Sequence, residues 1–230
     1  CTDANQKYDK IHACAKHFAV HSGPEWNRHE FNAENIKPRD LHETYLVPFE
    51  ALVKEGKVKE VMCAYNRLEG DPCCGSDRLL MQILRQEWGY EGIVLSDCGA
   101  IDDFYREKGH KTHPDAESAS AAAVLSGTDL ECGSSYKALV ESAKKGLISE
   151  KDIDVSVKRL LKARFELGEM DDPSKVEWTK IPYSVVCSAE HDSLSLDIAR
   201  KSMTLLLNKN NILPLKRGGQ TIAVMGPNAN

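Results

Sequence analysis

The chain has 230 residues, of which 41% are hydrophobic, and a formal net charge of -5 with Lys and Arg scattered along it. This length is enough to bury a substantial core, and the charge balance disfavours a nucleic-acid backbone or an anionic membrane as partner. No apolar run approaches the roughly 18 residues of a membrane span. The eight cysteines show no C-x-x-C spacing, so they do not indicate a metal site. Disulfides in an exported protein and buried free thiols are both compatible with them.

Short apolar runs alternate with helical patterns along the first three quarters of the chain. Strand-like runs occupy residues 11–20, 58–66, 92–97 and 128–132. Helical periodicity follows them at residues 38–56, 76–89, 115–127 and 135–168. Within these helices, Pro48 is expected to introduce a kink, Ser76 to act as an N-cap and Gly89 to end its helix. Four strand–helix units in succession predict an α/β fold with parallel strands.

The positions of polar residues favour one α/β architecture over another. An open doubly wound sheet and half of a (β/α)8 barrel both fit the element order. A dinucleotide-binding sheet needs G-x-G-x-x-G after its first strand, and this motif does not occur there. Polar pairs instead follow each predicted strand: Lys16-His17, Tyr65-Asn66, Ser96-Asp97 and Asp129 with Glu131. Barrel active sites are built from that edge, so residues 1–168 predict the C-terminal half of a TIM-type barrel.

The regular alternation of strand and helix patterns ends after residue 168. Residues 169–189 are turn-rich and predict a linker, and residues 190–230 predict the first elements of a second, truncated α/β domain. That domain would begin with a helix and a strand at 221–225. Because the chain opens without Met and stops just after this strand, we expect it to be cut from a longer protein. Half a barrel exposes strand edges, which predicts possible self-association.

Five residues are candidates for chemistry. Asp97 at a strand tip could be a nucleophile, a general base, a metal ligand or an N-cap. Lys16 and His17 could aim two donors at a ligand, or be a solvated lysine and a satisfied core histidine. Tyr65 could donate its hydroxyl to a carboxylate, whereas Arg28 lies in a loop where a solvated charge is the default. The Asp102-Asp103 pair is interpreted as a solvated turn, and the His29-Glu30 pair lacks the rest of a metal-binding H-E-x-x-H motif.

Three segments carry a resemblance to a known family. ACAKHFAVHSG, VMCAYNRLEGDPCC and GIVLSDCGAI resemble glycoside hydrolase family 3, in particular its β-xylosidase and β-glucosidase members. The likeness continues into ARKSMTLLLNKNNILPL, which is similar to the start of the second domain of that family. The combination of K-H-F, Y-N and S-D at this separation is specific. The resemblance implies a retaining exo-glycosidase with a (β/α)8 barrel followed by an α/β sandwich domain.

The resemblance also implies a role for each candidate. Asp97 matches the nucleophile, and Lys16 and His17 match the pair that binds hydroxyls of the terminal sugar. Arg28 lies where xylosidase-like members place a sugar-binding arginine, and Tyr65 matches a tyrosine that leans on the nucleophile. The substrate would be an oligosaccharide or β-glycoside, and no metal or organic cofactor is needed.

Two cysteines and the missing parts of the family pattern refine these expectations. Cys98 and Cys132 resemble a cysteine pair of the xylosidase branch, a possible disulfide that narrows the site near C5 of the sugar. The acid/base glutamate of the family usually belongs to the second domain, so this chain alone is expected to be inactive. Family habit implies a periplasmic or secreted protein.

Two other functions remain compatible with the residues. One is a different barrel enzyme, in which Lys16 forms a Schiff base or the histidine-rich loop binds a metal. The other is a non-catalytic fragment that binds sugar or acts as a scaffold.

Overall fold

A parallel sheet organises the first part of the chain. The computed structural model describes residues 7–219 and 221–229, and this part of the chain contains six strands. They are β1 (Cys14–Phe18), β2 (Asn32–Ala33), β3 (Glu60–Cys63), β4 (Arg67–Leu68), β5 (Asp71–Pro72) and β6 (Ile93–Ser96). The order β1-β3-β6 is parallel throughout, and Leu130 continues it through a parallel bridge to Leu95. Such a sequential order is the one expected for part of a barrel. The predicted α/β fold is confirmed.

Several apolar side chains of this sheet are buried. Phe18, Cys63 and Val94 are 0% exposed and Val61 is 1% exposed. β1 also carries exposed Lys16 and half-buried His17, and β3 begins with half-buried Glu60. The apolar residues of β1, β3 and β6 that predict strands also form the centre of the core.

Helices follow the strands with the predicted periodicity. They are α1 (Pro38–Asp40), α2 (Val47–Lys54), α3 (Ala116–Leu125), α4 (Leu139–Lys144), α5 (Glu150–Glu166) and α6 (Ala189–Ser202), with wider helical turns at Leu41–Tyr45 and Arg78–Glu87. Pro48 lies in the first turn of α2, where its missing N–H is tolerated, so the helix predicted over 38–56 is interrupted at Leu46. Ser76 Oγ accepts the Leu79 N–H at 3.3 Å. Gly89, with φ 68, ends the following turn in the left-handed region that favours glycine.

A second, small sheet holds the loop that follows β1. β2 pairs with β4 in parallel, and β4 pairs with β5 in an antiparallel manner. The amide of Arg67 donates to the Phe31 carbonyl and that of Glu69 to the Ala33 carbonyl, each at 2.9 Å. Residues 25–31 are therefore tied to the chain that leaves β3.

The last part of the chain differs from the prediction. The chain divides into two units, the first ending at Lys180 and the second beginning at Ile181, a division that falls inside the predicted linker. Residues 221–225, predicted as a strand, do not form one with any described residue. A strand needs a neighbouring strand to complete its hydrogen bonds. Residues 128–132, also predicted as a strand, contribute a single bridge at Leu130.

Two further expectations concern surfaces. Each helix within 7–219 and 221–229 is too short or too polar to cross a membrane. Among those residues β1 has a partner strand on one side only, and self-association through this edge stays a prediction.

Candidate active site

The ends of β1, β3 and β6 bring predicted site residues together. We call this the carboxyl edge of the sheet, and the opposite one the amino edge. The register between β1 and β3 shifts between Ala15 and Phe18, so His17 departs from the regular alternation of a strand. Its Nε2 lies 3.1 Å from Oδ2 of Asp97. Asp97 directly follows β6, and its amide donates to the Cys63 carbonyl at the end of β3 at 3.3 Å.

The two oxygens of the Asp97 carboxylate have different neighbours. Oδ1 accepts the amide N–H of Cys98 at 2.8 Å. Oδ2 lies 3.1 Å from His17 Nε2, and the side chain of Asp97 is 13% exposed. The Cys98 amide therefore fixes the orientation of the carboxylate while Oδ2 faces His17.

Tyr65 lies against this carboxylate and interacts with it. Its hydroxyl also donates to the carbonyl oxygen of Cys98 at 2.8 Å. Burial, together with the negative charge of Asp97, raises the pKa of Tyr65 to about 12. The hydroxyl is therefore protonated at neutral pH and remains a donor.

His17 and Lys16 line a common cavity of about 310 Å³, a size at the lower end of small-molecule sites. The remaining lining residues are Val20, His21, Ser22, Tyr45, Pro48 and Phe49. Burial lowers the pKa of His17 more than the charge of Asp97 raises it, so the imidazole is neutral at pH 7. Lys16 is exposed and makes no hydrogen bond or ion pair with a described residue. A Schiff-base lysine is usually desolvated, so this environment does not favour that alternative.

Arg28 reaches the site across the face of Tyr65. Its guanidinium carbon lies 5.1 Å from the centroid of the tyrosine ring, a cation–π distance. Its Nη1 donates to Oε1 of Glu25 at 2.5 Å. The structure thus brings Asp97 into contact with His17 and Arg28 into contact with Tyr65. Lys16 precedes His17 in the sequence and lines the same cavity.

Sequence reasoning missed two residues at this site. His29 packs edge-on against Tyr65, with ring centroids 4.5 Å apart, and its Nδ1 lies 2.7 Å from Oδ2 of Asp103. The interpretation of Asp102-Asp103 as a solvated turn is wrong, because Asp102 is 6% and Asp103 3% exposed. The only signal in the sequence is the adjacency of His29 to Arg28.

One predicted edge residue does not belong to the site. Asp129 is fully buried and lies 2.7 Å from Arg85 Nη2 and 2.7 Å from Arg159 Nη1. Its Oδ2 also accepts the amide of Val94 at 2.9 Å. Asp129 therefore ties the sheet to α5. Glu131 in turn accepts the amides of Ser135 and Tyr136 at 2.8 and 2.6 Å.

Two disulfides brace the carboxyl edge. Cys98 is bonded to Cys132, next to Asp97, and Cys63 at the end of β3 is bonded to Cys74. Sequence reasoning considered only the first pair.

A possible metal-binding group lies at the amino edge instead. Asp9, His12 and Glu166 offer ligand atoms within 4.8 Å of one another. The ammonium of Lys59 already lies 3.4 Å from Asp9 Oδ2 and 3.1 Å from Glu166 Oε2. The lysine supplies the positive charge that a metal would bring, so this group is an ion-pair network that joins α5 to the sheet.

Comparison with known proteins gives a consistent result. The model of the Glycosyl hydrolase family 3 N terminal domain matches residues 3–163. A xylan 1,4-beta-xylosidase of Xylanibacter ruminicola is 57% identical over 225 residues, which are 97% of this chain and 26% of that protein. The chain therefore spans about a quarter of the length of this relative.

Solved structures show the same likeness. A GH3 exo-beta-xylosidase in complex with a xylobiose aziridine activity-based probe superposes with a TM-score of 0.82 at 30% identity, covering 93% of this chain and 28% of that one. A b-glucosidase of Erythrobacter marinus gives a TM-score of 0.76 at 27% identity, covering 90% of this chain and 27% of that one.

Proposed function

Because this chain belongs to glycoside hydrolase family 3, we propose that it carries the nucleophile and part of the sugar-binding site of a retaining exo-β-glycosidase. The observation that supports this most is the carboxylate of Asp97 at the carboxyl edge, with Oδ2 3.1 Å from His17 Nε2. Active sites of barrel enzymes lie at this edge.

In the proposed first step, Oδ2 of Asp97 attacks the anomeric carbon of the terminal sugar. A carbon–oxygen bond forms to the enzyme as the bond to the leaving oxygen breaks, and that oxygen takes a proton from a general acid. In the second step, water gives a proton to the conjugate base and attacks the same carbon, which frees Asp97 and the sugar. No metal or organic cofactor takes part.

The neighbouring donors would hold the sugar. Neutral His17 and exposed Lys16 supply N–H groups to the cavity, and the guanidinium of Arg28 lies over the Tyr65 ring. These donors suit hydrogen bonding to sugar hydroxyls. The protonated hydroxyl of Tyr65 fixes the Cys98 carbonyl beside the nucleophile. Such positioned groups lower the barrier when their contacts strengthen in the transition state.

The general acid is proposed to come from outside the described residues. A retaining enzyme needs two carboxyl groups about 5 Å apart. The other carboxylates at this edge already have structural partners: Asp102, Asp103 and Glu131. The chain alone is therefore expected to lack turnover. Hydrolysis of the β-glycoside is proposed to need the rest of the enzyme.

The proposed substrate is a β-xyloside, with a β-glucoside as the alternative. The 57% identity to a xylan 1,4-beta-xylosidase supports the xyloside, and so does the disulfide beside the nucleophile, between Cys98 and Cys132. Two disulfides also support a periplasmic or secreted location, because cytosolic thiols are kept reduced.

A hybrid enzyme would test this proposal: the Xylanibacter ruminicola xylosidase in which this chain replaces the segment it matches. Replacing Asp97 by Ala in the hybrid should lower kcat for an aryl β-xyloside on the order of 10⁴-fold. Azide should restore turnover and yield the α-xylosyl azide, since a small anion fits the space left by the carboxylate. Asp9→Ala at the amino edge is the matched control and should leave kcat unchanged. Full activity of Asp97→Ala, or rescue without a glycosyl azide, would contradict the proposal.

A further inference from the structure

Beside Arg28 lies a histidine–aspartate contact to which the proposed reaction assigns no role. Nδ1 of His29 is 2.7 Å from Oδ2 of Asp103, whose side chain is 4% exposed, against 41% for His29. Because an ionised carboxylate only accepts hydrogen bonds, the contact places a proton on Nδ1 of His29.

The other ring nitrogen of His29 leads to the same protonation state independently. Nε of Arg28 donates to Nε2 of His29 at 3.2 Å. The guanidinium is always a donor, so Nε2 must be the unprotonated acceptor. Both contacts therefore require the neutral imidazole with its proton on Nδ1.

The backbone fixes Asp103 relative to the nucleophile. The amide of Ala100 donates to the Asp97 carbonyl at 3.0 Å, and that of Phe104 donates to the Ile101 carbonyl at 3.2 Å. Phe104 is completely buried and anchors the turn. The carboxylate of Asp103 thus belongs to the same rigid segment as Asp97, although it contacts the loop after β1.

We propose that His29 and Asp103 are positioning residues, which orient the guanidinium of Arg28 over Tyr65 so that its remaining N–H groups point to the sugar. This inference rests on the proposed function, since it takes Arg28 to bind the substrate. The buried carboxylate sets the tautomer, the imidazole accepts Nε–H, and Glu25 holds Nη1 at 2.5 Å. Two of the three guanidinium nitrogens are fixed in this way, and Nη2 is left for a hydroxyl.

The first test uses the 230-residue chain itself and does not depend on catalysis. The ¹⁵N chemical shifts of the His29 ring distinguish a protonated nitrogen from an unprotonated one. We expect a protonated Nδ1 and an unprotonated Nε2 at pH 7, with this state retained in Asp103→Asn, which keeps an acceptor oxygen, and lost in Asp103→Leu. A proton on Nε2 in the unmodified chain would overturn the proposal, whether or not the protein is a glycosidase.

The second test is a double-mutant cycle in the hybrid enzyme. Asp103→Leu should raise KM for an aryl β-xyloside about tenfold, whereas Asp103→Asn should change it by less than about threefold. In an Arg28→Met background the same leucine substitution should change KM by less than about twofold, because both residues act through one group.

Asp9→Leu, which removes the carboxylate from the His12 contact, is the matched control and should leave KM unchanged. Additive effects of Asp103→Leu and Arg28→Met would overturn the inference while leaving the proposed function intact. A hybrid that is folded but inactive without any substitution would count against the proposed function, and the ring-nitrogen shifts would still decide the inference.

Discussion

The two edges of the parallel sheet each hold a histidine against a carboxylate, yet they differ in what surrounds the pair. At the amino edge, His12 Nε2 lies 3.2 Å from Asp9, its side chain is 3% exposed, and Lys59 joins the network. At the carboxyl edge, His17 lies 3.1 Å from Asp97 and its side chain is 24% exposed; among residues 7–219 and 221–229, no lysine or arginine forms an ion pair with Asp97. The residue pair alone does not indicate function, because one histidine lies in an ion-pair network and the other lines a cavity.

The edges are also held together by different forces. Ion pairs join the amino edge to α5, and these weaken with salt where they are exposed. Disulfides brace the carboxyl edge, where Cys63–Cys74 and Cys98–Cys132 lie. Disulfide bonds constrain the segments at this edge without using the side chains of the site for structural ion pairs.

The largest expected effect on stability is the loss of the longer disulfide. Cys98 and Cys132 are 34 residues apart, and Cys63 and Cys74 are 11 apart. Loop-closure entropy predicts that alanine at both ends of the longer loop lowers the free energy of unfolding by about 4 kcal/mol, against about 3 kcal/mol for the shorter loop. Urea unfolding of both double variants without reductant measures the difference. A larger cost for the shorter loop would show that strain or packing outweighs chain entropy.

Acid should destabilise the fold through His110, whose amide donates to the Asp103 carbonyl at 2.6 Å. His110 is 6% exposed, and burial lowers its pKa to about 4. A neutral buried histidine stabilises the fold above its unfolded pKa of about 6.5 and stops doing so as pH falls through 4, a change of about 3 kcal/mol. His110→Phe should therefore unfold with less sensitivity to pH between 7 and 4, as urea titrations would show. The exposed His42→Gln is the control, and equal sensitivity in both variants would contradict this assignment.

The smallest effects should separate the two lysines. Lys59→Met removes the cation of the amino edge and should lower the free energy of unfolding by about 1 kcal/mol without changing KM in the hybrid enzyme. Lys16→Met should raise KM about tenfold and leave stability unchanged, because a hydrogen bond to a charged donor contributes about 1.5 kcal/mol. Urea denaturation and steady-state kinetics on both variants measure these effects. A raised KM in Lys59→Met together with a lowered stability in Lys16→Met would contradict the distinction between the two edges.

Sequence reasoning found the residues whose position follows from local pattern. An apolar run that stops at a polar pair predicts a strand end, and this placed His17, Tyr65 and Asp97 at one edge. The contact between His29 and Asp103 joins residues 74 positions apart and depends on the path of two loops, which no local pattern encodes. The sequence likewise does not predict the pairing of Cys63 with Cys74. Asp129 shows the converse limit, since a polar residue after a strand can lie in a buried ion pair.

The most direct test of the account is covalent trapping of Asp97. The hybrid enzyme would be treated with a 2-deoxy-2-fluoro β-xyloside that carries a good leaving group, which slows the second step and leaves the sugar on the nucleophile, and its peptides would be analysed by mass spectrometry. We expect an adduct on the peptide that contains Asp97, and none on the peptide with Asp9 and His12. An adduct on another carboxylate of an active hybrid would contradict the assignment of the nucleophile to the carboxyl edge of β6.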